Sequence, residues 1–331
     1  MILYGSYCYS INKIKQIFNI MENNYYELNN NEEHKIMKHY IDIGAHLIKF
    51  LAICLILCFF LSMLVILYPM VFNVILPLNE SRKFIVLCDL YYFVDPQEYA
   101  IIFLLYTFVL IFILCTIIGT QFTTIIFVQH CCGFFKVASY RLEHAMDTYK
   151  AQNEIEIYYI ICAKLIKAIE IYKLAIKFFK YAVDIYKIPY TMTIFLYVLD
   201  VSVQLYYVVY MLQQLQSIHK LCINVILLIG KFCFLFLVTY LGQNIENHSS
   251  EVFEKCYDSL WYTAPVATRR LLLIIMINIM KPCQYEMFGG LFKGNIEGFS
   301  KVINSNIIKC FEITPRRDVI EQYRPVFLNF F

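Results

Sequence analysis

A chain of 331 residues that is 60% hydrophobic and 16% charged is too apolar for an ordinary soluble domain. A net charge of +3 with dispersed lysines gives no support to a nucleic-acid partner. The 13 cysteines form no Cys-x-x-Cys pair and mostly sit in apolar runs (Cys54, Cys58, Cys115, Cys233), which predicts free, buried thiols and argues against a disulfide framework or zinc site.

Residues 1–46 are polar, with an asparagine-rich patch (Asn19, Asn23, Asn24, Asn29, Asn30, Asn31), and read as a poorly ordered leader. Met1 to Ser10 lack a basic start, a long apolar core and a cleavage site, so no signal peptide is predicted. Phe50 to Tyr68 carry no charge and end at Pro69, a length that can span a bilayer. Residues 70–99 read as a loop holding the glycosylation sequon Asn79-Glu-Ser81 and the turn Tyr91-Tyr-Phe-Val-Asp95-Pro96. Ala100 to Val128 is a second span, long enough to tilt. From Gln129 to Lys187 the chain is amphipathic: Leu165, Ile169, Tyr172 and Ile176 share one helical face, and Lys173, Lys177 and Lys180 another. That pattern fits a solvated face beneath a bundle better than a helix lying on the membrane. Ile188–Leu212 is a third span with one acid, Asp200, and Leu221–Leu241 a fourth with one base, Lys231. The short link 213–220 makes these two antiparallel neighbours.

At ~1.5 Å per residue from the hairpin midpoint near Gln216, Asp200 and Lys231 lie at nearly the same depth, roughly 22–24 Å below the outer end. A lone charge in hydrocarbon is costly, so the two are predicted to pair within the membrane; snorkelling of both to the cytosolic headgroups is the competing reading. Orientation follows from charge. Lys136, Arg141, Lys150, Lys164, Lys167, Lys173, Lys177, Lys180 and Lys187 crowd into 129–187, whereas 70–99 holds only Arg82 and Lys83. The positive-inside rule places 129–187, the leader and 242–282 in the cytosol, and Asn79 outside. The sequon Asn247-His-Ser249 falls inside.

The C-terminal third starts with a mixed-charge run, Glu246 to Tyr262, holding the only tryptophan, Trp261. After Pro265, the apolar run Leu271–Met280 rises only about 15 Å, so it reads as a packed helix at the membrane edge. Gly290-x-x-x-Gly294-x-x-x-Gly298 fits either helix packing or turn glycines. No P-loop, zinc-protease or nucleophile-elbow motif stands in the chain, and His130 beside Cys131-Cys132 reads as a membrane-edge residue; no enzyme, cofactor or metal site is predicted.

The motifs His248-Ser-Ser-Glu-Val-Phe, Tyr257-Asp-Ser-Leu-Trp-Tyr, Lys281-Pro-Cys, Gly289-Gly-Leu-Phe and Glu297-Gly-Phe-Ser, in that order, closely resemble the C-terminal third of insect odorant receptors, especially those of ants, bees and wasps. Leu78-Asn-Glu-Ser-Arg82 with Tyr92-Phe-Val-Asp95, and Val128-Gln-His-Cys-Cys-Gly-Phe-Phe with Tyr140-Arg-Leu-Glu143, resemble the segments around that family's fourth span, and Tyr172 to Phe179 is a looser match. The resemblance covers roughly 45–312. It implies an all-α polytopic bundle with a cytosolic anchor: leader 1–46, bundle 47–241, anchor helices 242–282, a last pore-lining span 283–313 and an atypical tail 314–331. The family's first two spans have no counterpart here, and Asn306 to Phe311 departs from its usual apolar ending.

By resemblance the chain is an odorant-specific subunit of a ligand-gated cation channel, tetrameric with a shared co-receptor, in the plasma membrane, with lipid and a volatile apolar odorant as its other partners. The outer halves of the spans offer Phe59, Met63, Tyr106, Thr107, Tyr206 and Tyr207 as ligand-binding candidates, each of which could equally face lipid or pack in the core. Ile303, Ile307 and Cys310, at helical spacing, are the pore-lining candidates, with Lys301 and Lys309 as nearby charges. The alternatives are a gustatory-type channel subunit, whose Thr-Tyr…Gln-Phe ending is missing, and a receptor relic that inserts without gating.

Overall fold

The apolar runs do not end where polar sequence begins; they continue as long helices that carry polar residues out beyond the span. The computed structural model describes residues 8–26, 30–75, 99–146, 154–213, 218–287 and 292–313, with Gly5 and Leu28. In chain order the described elements are α1 (Ile11–Tyr26), α2 (Asn31–Ile75), α3 (Tyr99–Glu143) with a 3-10 turn at His144–Met146, α4 (Glu154–Gln213) and α5 (Ile218–Asp258). A second 3-10 turn (Trp261–Thr263), α6 (Val266–Ile279), the two-residue strands β1 (Glu286–Met287) and β2 (Phe292–Lys293), and α7 (Ile296–Ile313) follow. Four of these helices are long and apolar enough to cross a membrane. The 60 residues of α4 rise about 90 Å, three times a hydrocarbon core, so much of that helix stands outside it.

The chain divides into two compact units, His39–Gln129 and the remainder, Met1–Lys38 with His130–Phe331. In the smaller unit α2 and α3 run antiparallel: Gln129 packs on Gly44, and the Thr107 hydroxyl contacts Met63 Sδ at 3.8 Å. Going up one helix goes down the other, which is the signature of that arrangement. Pro69, expected to end the first span, lies inside α2, which continues to Ile75. Pro189 likewise lies inside α4, at the junction of its lysine-rich and apolar halves. Membrane helices tolerate proline where the protein around it satisfies the carbonyl left one turn earlier, and one turn on, Thr193 Oγ1 donates to the Pro189 carbonyl at 2.7 Å.

In the larger unit the core is aromatic. The His130 ring meets Phe134 edge-on at 5.3 Å, and Phe134 meets Phe178 edge-on at 5.8 Å, tying α3 to α4. The leader is not poorly ordered: α1 buries Ile17 and Met21, and α2 buries Met37 and Glu33. Its polarity masks a sparse apolar face, Ile14, Ile17 and Met21, at helical spacing. Glu33 also has a specific partner. Arg141 grips it with two parallel bonds, Nε–Oε1 at 2.7 Å and Nη2–Oε2 at 2.8 Å, and donates from Nη1 to the Lys167 carbonyl.

Helix α6 buries Thr268, Leu272, Met276 and Ile279, one face at helical spacing. Its other side is also apolar, and exposed: Ile274, Ile277 and Met280 face outward. The last helix starts at Ile296, not at 283, because residues before it turn back as a β-hairpin in which Glu286 pairs with Lys293 and Met287 with Phe292. The described cysteines are free, but not all buried. Cys131, Cys132 and Cys256 lie inside, whereas Cys58, Cys115 and Cys233 lie on the apolar surface.

Candidate functional site

Helix α7 sits in the groove between α4 and α5. Val201 and Leu205 of α4, Leu228 of α5 and Ile303 of α7 form one buried cluster, flanked by Tyr197, Phe232 and Phe299. A second contact places Val302 and Tyr285, with Val198, against Ile194. Ile303 is 2% exposed, so it is an internal packing residue and not a pore-lining one: a wall facing water must be surface in the subunit. The face of α7 that is open carries Glu297, Ser300, Lys301, Asn304 and Ser305, three and four residues apart. Lys301 Nζ lies 2.6 Å from Glu297 Oε1 on that face. The side chains of Ile307, Lys309 and Cys310 lie outside the described residues. Sequence reasoning missed this stripe by tracking apolar spacing in a helix whose outward face is polar.

The structure brings Asp200 and Lys231 together across α4 and α5, Oδ2 to Nζ at 2.5 Å. The pair is asymmetric: the Asp200 side chain is 58% exposed and the Lys231 side chain 29%. Beside it, Tyr197 donates its hydroxyl to the Lys231 carbonyl, and Gln204 Nε2 donates to the Asn224 carbonyl at 3.1 Å. These polar bonds cross between the same two helices at successive turns.

Of the ligand-binding candidates, Phe59, Met63 and Thr107 belong to the smaller unit, and the last two touch. Tyr206 and Tyr207 lie on the exposed face of α4 in the larger unit. The Tyr106 side chain, the sequon at Asn79 and the tail from residue 314 fall outside the described residues.

The motifs near the ends of α3 and α5 form a polar junction. Lys136 of α3 pairs with Glu251 of α5, which also meets His248 Nδ1 at 3.1 Å, and Lys255 pairs with Glu143 at 3.0 Å. Burial pushes the Glu251 carboxyl up, but the hydrogen bonds from Lys136 and His248 outweigh it and leave the carboxyl below its ordinary range. Burial likewise lowers His248, against the pull of Glu251. Toward the hairpin, Ser249 Oγ accepts the Cys283 N–H at 2.8 Å, and Glu246 accepts from Gln284 and Asn295. At Gly242 a Cβ would overlap the Gly294 carbonyl oxygen, so the hairpin's exit rests on bare α5 backbone. Gly294 is therefore a close-approach and turn residue before α7, not part of a helix-packing repeat.

The family model described as 7tm Odorant receptor matches residues 4–307, including the leader that sequence resemblance left out. Odorant receptor 9a of Drosophila melanogaster is 24% identical over 181 residues, 55% of this chain and 43% of that receptor, so the match spans less than half of the relative's length. The insect olfactory receptor OR5 from Machilis hrabei shares the fold. In complex with eugenol it superposes with a TM-score of 0.65 at 16% identity, over 95% of this chain and 78% of that one. A second structure of OR5 gives a TM-score of 0.64 at 16% identity, over 95% of this chain and 77% of that one. An all-helical bundle of membrane-spanning length, matched by the family model almost from end to end, belongs to the insect odorant receptor family.

Proposed function

We propose that this chain is an odorant-specific subunit of a ligand-gated cation channel in the plasma membrane of insect olfactory neurons, assembled as a heterotetramer with a shared co-receptor. The observation that carries the reading is the exposed polar face of α7, Ser300, Lys301, Asn304 and Ser305, on a helix otherwise packed into an apolar bundle. Polar side chains facing lipid are costly, whereas the same stripe facing its counterparts across a pore stays hydrated. The outward apolar face of α6 supports assembly: Ile277 is 73% and Met280 68% exposed on a helix whose opposite face is already buried. The ligand-binding candidates are Phe59, Met63, Tyr106 and Thr107 in the smaller unit and Tyr206 and Tyr207 in the larger one; a volatile apolar ligand held by aromatic and apolar contact favours opening through higher affinity for the open state. Eugenol, held by the structural neighbour, is the first ligand to try.

The test is co-expression of the full chain with the co-receptor. Wild type is expected to co-purify with it and to carry an odorant-evoked cation current. Ile274→Glu with Ile277→Glu changes only exposed side chains, so surface expression of the chain alone should persist while co-purification is lost. Undiminished co-purification would remove α6 from the interface and with it the main structural support for assembly.

A further inference from the structure

Glu246 lies five residues past Leu241, the end of the fourth apolar run, on the part of α5 that leaves the membrane. Its two carboxylate oxygens are both taken by carboxamides from the segment entering α7: Gln284 Nε2 at 2.7 Å and Asn295 Nδ2 at 3.1 Å. Asn295 is almost fully buried and has a second task. Its Oδ1 accepts the Gly298 N–H at 2.9 Å, which caps the first turn of α7. One side chain thus holds the start of α7 and ties it to α5. Gln243 Oε1 accepts the Ile296 N–H at 3.4 Å alongside, and the Gly242–Gly294 approach closes the junction.

Further along, α7 meets α4 and α5 through Phe299, Val302 and Ile303, which are apolar contacts and non-directional. Such contacts hold a helix in a groove but resist rotation weakly. A charge-assisted bond at the first turn has a fixed geometry and does resist it. We infer that the Glu246–Asn295 hydrogen bond is a positioning contact that sets the rotation of α7 in the α4–α5 groove, and so which face of α7 is turned outward at rest. The consequence for the pore rests on the channel reading above; the positioning itself does not.

The bond can be broken without uncapping the helix. Asn295→Asp keeps an oxygen for the Gly298 N–H but removes the donor and sets a second carboxylate against Glu246. Adding Glu246→Gln reverses the bond: the new amide donates to the new carboxylate, and its oxygen still accepts from Gln284. The reporter is Ser305→Cys on the open face of α7, modified by a trimethylammonium methanethiosulfonate in the full chain with the co-receptor, against the same chain without that cysteine. Loss of one charge-assisted bond should change the modification rate about tenfold in N295D, and E246Q/N295D should bring it back within about twofold. Ligand-independent current per surface-labelled chain should rise and recover in step.

An unchanged rate in N295D, or a change that E246Q/N295D leaves in place, overturns the inference. Rates that shift and recover in a chain that never passes current support the contact and remove the channel reading instead. If N295D does not reach the surface, recovery of surface labelling by E246Q/N295D is the same rescue, and its failure counts against the pair.

Discussion

At the scale of single residues, Gly242 is where one methyl group has most to disturb. A Cβ there meets the carbonyl oxygen of Gly294, a backbone atom that no rotamer change can move aside, whereas a Cβ at Gly230 on the same helix meets nothing. Gly242→Ala is expected to cost about 1–3 kcal/mol by overpacking, and Gly230→Ala to be neutral or slightly stabilising. Thermal unfolding in detergent should separate the two; equal melting temperatures would mean that the junction yields freely. His248 and Glu251, on the part of α5 past its apolar run, give the receptor a pH dependence of defined sign. Both are held below their ordinary pKa, so each contributes stability that is complete above its unfolded value and lost as pH falls. For His248 the loss begins below its ordinary value of 6.5, and for Glu251 below 4.5. Melting temperature should therefore fall between about pH 7.5 and 5.5, and His248→Gln should flatten that slope because the proton-binding ring is gone. A slope unchanged in H248Q would assign the acid sensitivity to another group.

Among the elements, the Asp200–Lys231 contact fixes the register of α4 against α5, since it joins them at one depth while Gln204 and Tyr197 add bonds a turn away on either side. Removing one partner leaves a charge in hydrocarbon at a cost of about 2.5–3.5 kcal/mol, so Asp200→Lys and Lys231→Asp should each reduce surface expression. The double swap restores opposite charges and should recover most of it. A double variant as poor as the two losses combined would mean that the charges act separately. The apolar spans were legible because each exceeds the hydrophobic thickness without a charge, and the pair because equal offsets from a short turn give equal depth. The helix ends were not. Pro69 and Pro189, usual stop signals in soluble helices, sit within continuous helix, and α5 passes from Leu241 to Asp258 with no local signal to stop it. The leader was misread for a related reason: its apolar face is sparse, and the pairing of Glu33 with Arg141, more than a hundred residues away, leaves no mark in local composition. The exposed polar side of α7 was missed for a different reason, because the apolar period there marks the buried side.

For the molecule as a whole, a membrane orientation is predicted from where the ionic contacts gather. Glu33–Arg141, Lys136–Glu251 and Glu143–Lys255 all join the start of α2, the end of α3 and the end of α5. Charges so concentrated cannot lie in hydrocarbon, so the three helix ends emerge on one side of the bilayer. The lysine-rich half of α4 belongs to that side too, through the bond from Arg141 to the Lys167 carbonyl. The concentration of lysine and arginine in 129–187 predicts that this side is the cytosolic one. If α2 crosses the bilayer from Asn31 to Ile75, its far end is expected on the opposite side, where α3 begins at Tyr99. Asn79, in the sequence between those helices and outside the described residues, is then predicted to face the lumenal and later extracellular side. Asn247 stands on α5 one turn from Glu251, exposed and predicted to be cytosolic, with its Oδ1 accepting from Gln243 at 2.8 Å. Translation with microsomes should yield a single glycosylated band that endoglycosidase removes. Asn79→Gln should abolish that band and Asn247→Gln should leave it unchanged. Sugar on Asn247 with none on Asn79 would turn the receptor over in the membrane, and would place the ionic junction of α2, α3 and α5 outside the cell.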